Sequence, residues 1–341
     1  TNRAVLLASG STLTWGTTSF VPSDNALVLS SPHSDSRIDF QNNVALGGLQ
    51  RVVRVHNGSA PVDARISGTL SSSLTGGLVK DGDGTLELTA ANTYTGDTWI
   101  SAGRLSVTSA GSINGTSRIT LAGSGAEFKY NSSTALTAPL TVTQGTLSGT
   151  GAVNSTGGVS IGTNAILSPG NSPGTLPIGT GLALTPGGTY VWETNSGTGT
   201  AGVAWDLINV TAGGLNLSGL SAGGQFTLDL TTLTASGSSG PMDNYTAGGS
   251  YTWRIFDANA LTLPGSFGSA PYTAGTDITS LFNLVTTNWK NAVPASNDMS
   301  VKVAANGTGI DLVVVPEPAT LVLAGLGIGL VGLVIRHRRR S

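Results

Sequence analysis

Short runs in which apolar and polar side chains alternate recur along almost the whole chain, each bounded by Gly, Asn, Ser or Asp. A period of two places every second side chain on one face, as in a half-buried β-strand, and the bounding residues favour turns. The pattern predicts strands at 85–88 (TLEL), 104–107 (RLSV), 118–121 (RITL), 140–142 (LTV), 159–161 (VSI) and 181–184 (GLAL). No long helical period interrupts them before residue 316. Several equivalent positions are evenly spaced: Leu86 to Leu105 and Leu140 to Val159 are each 19 residues, and Val159 to Leu182 is 23. A repeat of this length, made of short strands and Gly-rich turns, predicts an all-β fold, a parallel β-solenoid expected to be right-handed.

Composition agrees with that architecture: 49 residues are Gly and only 10% are charged. A coil cannot bury its apolar side chains alone and depends on the coils above and below it, while its turns need residues tolerant of positive φ. Stacking brings equivalent side chains to about 4.8 Å, so like charges in register are costly and Thr, Ser and Asn are not. From about residue 187 the strands become longer and aromatic, as in 189–193 (TYVWE), 226–230 (FTLDL) and 251–256 (YTWRIF). Trp192, Trp205, Trp253 and Trp289 lie in this part. We expect a solenoid over 1–186 and a β-rich cap over 187–315 that covers an otherwise open coil end.

The most repeat-like passage is 76–107, in which Gly-x-Leu-x-Leu, Asn-Thr-Tyr-Thr-Gly and Gly-x-Leu-x-Val punctuate three strands. It resembles the autotransporter-associated β-strand repeat, whose most specific part falls on Asn92, Thr93, Tyr94, Thr95 and Gly96, expected to turn between coils. Phe40-Gln41-Asn42 and Ile66-Ser67-Gly68 look like earlier coils of the same family, and 167–176 (LSPGNSPGTL) is similar to a turn that follows them. Over about 26–176 the resemblance implies a secreted, passenger-like β-helix. A translocating barrel would need at least about eight amphipathic strands ending the chain, so export is expected to depend on a different signal.

That signal is expected in 316–341 (PEPATLVLAGLGIGLVGLVIRHRRRS), where a polar motif, an apolar run and a basic cluster follow in order. Pro316 and Pro318 bias their preceding residues away from the helical region, so Pro316-Glu317-Pro318 reads as an extended tripeptide. Residues 319–335 are uncharged and long enough for a transmembrane helix. Arg336, Arg338, Arg339 and Arg340 form a basic anchor that the positive-inside rule holds in the cytoplasm. The combination resembles the PEP-CTERM sorting signal of Gram-negative bacteria. The resemblance implies processing near Pro316, Glu317 and Pro318 by exosortase, a membrane-embedded cysteine protease of transpeptidase type. It also implies transient inner-membrane anchoring before delivery to the cell surface or extracellular matrix. A secretory signal is expected to precede Thr1, because the first apolar run is too short to be one.

Candidate chemistry is sparse. The sequence has no Cys, which removes disulfides, thiolate metal sites and a cysteine nucleophile. Setting aside 316–341, with four Arg and one Glu, leaves 12 basic and 17 acidic residues, a net charge of −5 that disfavours nucleic acid. Outside the tail only His33 and His56 could serve a His-dependent site, and neither lies in a catalytic motif. Asp81, Asp83 and Asp97 are close in sequence but lack the ligand pattern of calcium loops. A polysaccharide lyase or hydrolase would need clustered acids in a cleft. The sequence therefore reads as a non-enzymatic β-solenoid without cofactor or metal, and the resemblance of its tail implies exosortase and the membrane as partners. Exopolysaccharide binding and self-association into fibres stand as alternatives.

Overall fold

Alternation becomes register when strands stack, and the computed structural model, which describes residues 3–7, 11–17 and 20–316, shows that stacking. The first face is one sheet of eleven parallel strands running from Arg3–Val5 to Phe282–Val285. Leu86 pairs with Leu105, Leu105 with Phe128, Phe128 with Leu147 and Leu147 with Leu167. All five are buried. Each such side chain contributes about 1.5–3 kcal/mol by leaving water. The contribution exists only once the neighbouring coil is present.

Between visits to this face the chain passes two others. One begins with Leu13–Thr14, Val44–Ala45 and Leu70–Ser71 and continues through single bridges such as Leu136 to Val153 and Val153 to Ile178. It ends in a sheet of Thr175–Ile178, Leu207–Val210, Tyr251–Ala258, Ile310–Val314 and Met299–Val303. The other holds a six-stranded parallel sheet from Leu27–Leu29 to Leu140–Val142, followed by Val159–Ile161, Leu182–Leu184, Leu215–Asn216 and Leu261–Thr262. The result is an all-β, solenoid-like body with long parallel sheets. Apart from 3-10 turns, the described residues contain no helix, and none long and apolar enough to cross a membrane. The span expected at 319–335 lies outside the described residues.

Charges stack with opposite signs, in agreement with the cost of like-charge ladders. Arg65 faces Glu87, Arg104 faces Glu127 and Arg54 faces Asp81 in register, with ion-pair distances of 2.5, 2.7 and 2.8 Å. All are partly exposed, so each contributes no more than about 1 kcal/mol. Their value lies in register, since a slipped coil would part each pair, and a one-residue slip would set Arg54 against Lys80.

The first-face ladder passes residue 187 without a break: Leu167 pairs with Tyr190, Tyr190 with Leu228 and Leu228 with Leu284. The coils lengthen, to 38 residues from Tyr190 to Leu228 and 56 from Leu228 to Leu284. Trp192 and Trp253 fill the enlarged interior with ring centroids 5.7 Å apart. At this end Ile310–Val314 runs antiparallel to both Tyr251–Ala258 and Met299–Val303, the change of direction that ends the parallel stack on that face.

The Asn92 to Gly96 stretch occupies a corner within a coil, between the bridge at Ala91 and the strand Thr98–Ile100, rather than a turn between coils. Asn92 is buried there. It accepts from the Leu70 N–H and donates to the carbonyls of Ala90 and Ser112, tying three coils together. Tyr94 is buried beside it, its hydroxyl 2.7 Å from that of Thr98.

Candidate functional site

The end of the body is built by the strand Ile310–Val314, in which Ile310, Leu312 and Val314 are buried and Asp311 and Val313 alternate outward. It is hydrogen-bonded on both edges: Tyr251 faces Val314 on one side and Met299 faces it on the other. Asp311 accepts from Arg254 Nε at 2.6 Å, and Arg254 also meets Asp257 at 2.9 Å. The Val315 N–H still donates to the Asp298 carbonyl at 2.9 Å. Pro316 follows at once. No spacer therefore separates the folded body from the tripeptide expected to be processed. Of the residues singled out for sorting, Pro316 is in place at this exit, while Glu317, Pro318, Arg336, Arg338, Arg339 and Arg340 lie outside the described residues.

A second feature interrupts the third face. Leu140–Val142 ends one sheet and Val159–Ile161 begins the next, and no ladder joins these neighbours among the described residues. The break opens a groove of about 710 Å³, lined by hydroxyl-bearing Thr141, Thr143, Thr156, Ser160 and Thr163 and by Asn216, with no charged side chain on its wall. Trp99 stands on the same face, since it pairs with Thr120 and Thr120 with Thr141. Its ring is more than one-third exposed.

The titratable candidates are dispersed. His33 is exposed and His56 half-buried. Asp81 is taken by Arg54, and Asp97 accepts from the Ser117 hydroxyl of the next coil at 2.5 Å. No group of three metal-ligating side chains is assembled among the described residues.

The polar group that sequence reasoning missed is Lys80. It follows Leu78 by two in Gly77–Asp81, so the alternation itself turns it inward. Its ammonium donates to the carbonyls of Gly82, Ala102 and Asp81 at 2.6, 3.0 and 3.2 Å. Burial lowers its pKa to about 8, against the opposing attraction of Asp81, Asp83 and Asp63. The unfolded chain, with an ordinary Lys, binds the proton up to about 10.4, so stability rises as pH increases from about 8 towards that value. Lys129, lowered by burial and by Arg104, adds in the same direction. Burial raises Tyr94, Tyr130 and Tyr190, whose neutral forms the fold favours, so stability falls again above about pH 10. Urea midpoints measured from pH 7 to 11 should pass through a maximum, and Lys80→Met should flatten the rising limb. A monotonic fall in the parent protein would contradict this assignment.

Two known families match parts of the chain. A model of the passenger-associated-transport-repeat matches residues 78–107, the stretch holding Thr85–Leu88, Thr98–Ile100 and Arg104–Val107. A model of the PEP-CTERM protein-sorting motif matches residues 314–340, beginning on the last residue of the clamped exit strand. No curated protein matches the chain. The chain thus carries the sorting motif of proteins that are exported and processed by exosortase to the cell surface or extracellular space.

Proposed function

We propose that this chain is a non-enzymatic surface or matrix protein whose right-handed solenoid body is the delivered cargo and whose residues 316–340 are a removable sorting tail. The observation that carries the reading is the exit itself: the sorting match begins where a strand clamped on both edges ends. Pro316, Glu317 and Pro318 present an extended segment to the protease, residues 319–335 hold the precursor in the inner membrane, and Arg336, Arg338, Arg339 and Arg340 keep its end in the cytoplasm. In this reading 1–186 is the solenoid proper and 187–315 its closing region, a role supported by the antiparallel strands at its end.

The test places one epitope tag near Thr1 and another after Ser341 and follows both in cells with and without exosortase, with intact mass of the exported product. We expect loss of the C-terminal tag only when the protease is present, with the product ending near Pro316. Retention of both tags in either strain would make 319–335 a permanent anchor instead.

The groove supports a second reading, exopolysaccharide binding. Hydroxyl and amide groups on an uncharged wall, with an aromatic platform on the same face, suit a neutral glycan better than a charged ligand. Trp99→Ala, at a position just over one-third exposed, should leave folding intact and abolish cosedimentation of the body with matrix polysaccharide. Unchanged cosedimentation would remove this face from the reading.

A further inference from the structure

We infer that the tethered precursor rests on the bilayer through a tyrosine and valine rim around its own chain exit, formed by Tyr245, Tyr251, Val293 and Val315. The inference rests on the sorting-tail reading above and adds a lipid contact made by the folded body itself.

The tether is short. Val315 is held to the Asp298 carbonyl, and the apolar run begins at residue 319. Only Pro316, Glu317 and Pro318 lie between, so the four steps from Val315 to residue 319, at about 3.3–3.6 Å each when fully extended, span at most roughly 14 Å. The polar layer on each side of the hydrocarbon is about 5–8 Å deep. Whatever surrounds Val315 is therefore held within about 9 Å of that layer once residue 319 enters hydrocarbon.

The side chains at the exit suit an interface. Tyr251 faces Val314 across the ladder and stacks on Tyr245 with ring centroids 4.9 Å apart. The Tyr245 hydroxyl donates to the Ala292 carbonyl at 3.2 Å, which brings Val293 to the same rim. Val293 and Val315 are 52% and 54% exposed and so present apolar surface at the exit. Half-exposed tyrosines, apolar in the ring and polar at the tip, together with exposed valines, match the headgroup boundary. Behind the rim Tyr251 stacks on Trp253, and Tyr245 meets Trp289 edge-on at 5.6 Å, so the tyrosines are backed by core rather than borne on a mobile loop. Asp243, Asp298 and Lys290 on the same segments keep the contact at headgroup depth. The body is thereby fixed beside the membrane at the place where the processing motif emerges.

The natural lack of Cys makes the test direct. The full chain, bearing a single environment-sensitive fluorophore on Val293→Cys, Leu74→Cys or Leu321→Cys, is reconstituted in vesicles of phosphatidylethanolamine and phosphatidylglycerol. Nitroxide lipids carry the quencher either at the headgroup or in mid-chain. A probe at 321 losing most of its fluorescence to the mid-chain quencher establishes insertion of the tail. With that in hand, we expect the probe at 293 to lose most of its signal to the headgroup quencher while the exposed site at 74, in the early coils, keeps it. Quenching at 321 with none at 293 overturns the rim while leaving the anchor intact. No quenching at 321 removes the anchor, and the rim with it.

Discussion

Trp253→Ala is expected to melt the C-terminal coils while the N-terminal ones hold, at a cost of about 3–5 kcal/mol. The side chain is fully buried against Trp192, Tyr251 and Trp289, with ring centroids at 5.7, 5.2 and 6.1 Å. Its Nε1–H donates to the Gly197 carbonyl at 3.2 Å, so truncation also leaves a buried acceptor unpaired. Trp253 faces Leu312 in the exit strand, which ties the loss to the clamp that holds the sorting motif. In a stack stabilised by nearest neighbours, damage at one end propagates only as far as the coils that lean on it. Hydrogen exchange should therefore lose protection at 310–314 and 251–258 and retain it across 85–142. Proteolysis should newly cut upstream of Pro316. A single cooperative transition shifted as a whole would show instead that the body does not divide along its length.

The same locality explains which parts of the fold the sequence discloses. Thr85–Leu88 and Arg104–Val107 are legible because each alternates cleanly and the 19-residue step from Leu86 to Leu105 is a true pairing. The equal step from Leu140 to Val159 is not, since these residues lie on either side of the break that opens the groove. Spacing reports coil length, and it is blind to whether adjacent coils pair. Beyond Tyr190 the repeat is obscured because long connections enlarge each coil while the first-face ladder continues. The buried polar groups were the least legible. Lys80 is satisfied by backbone carbonyls at turns, and Asn92 reaches across coils whose residues lie about 20 positions away in sequence. Asp206, its carboxyl raised well above the ordinary range by burial, accepts from the backbone of Gly174 and Glu193. Partners of this kind have no side-chain signature. At the exit, the motif at 316–318 was legible as a string, whereas the clamp around Val315 and the tyrosine rim needed the antiparallel pairing.

Glycine supplies the sharpest separation of what composition says from what structure says. Gly123 and Gly125 stand two apart in the same run, Ala122-Gly123-Ser124-Gly125. A Cβ on Gly123 would overlap the carbonyl oxygen of Ser101 in the preceding coil, whereas one on Gly125 would meet nothing within 4 Å. The obstacle at Gly123 is backbone belonging to a paired coil, which cannot step aside without opening the stack, since Ala122 N–H already bonds to the Ile100 carbonyl. Gly123→Ala should cost about 3 kcal/mol, the upper end for overpacking. Gly125→Ala should be neutral or stabilising by up to about 1 kcal/mol, because it restricts only the unfolded chain. The pair is read by urea unfolding of the two variants side by side. Equal effects would mean that coils at this corner have room to spare and that Gly is abundant for its turns alone. The expected difference would show that a share of the glycine content is set by how closely one coil's backbone lies on the next. Gly96, within the matched repeat and placed so that a Cβ would strike the Thr75 carbonyl, should then behave like Gly123.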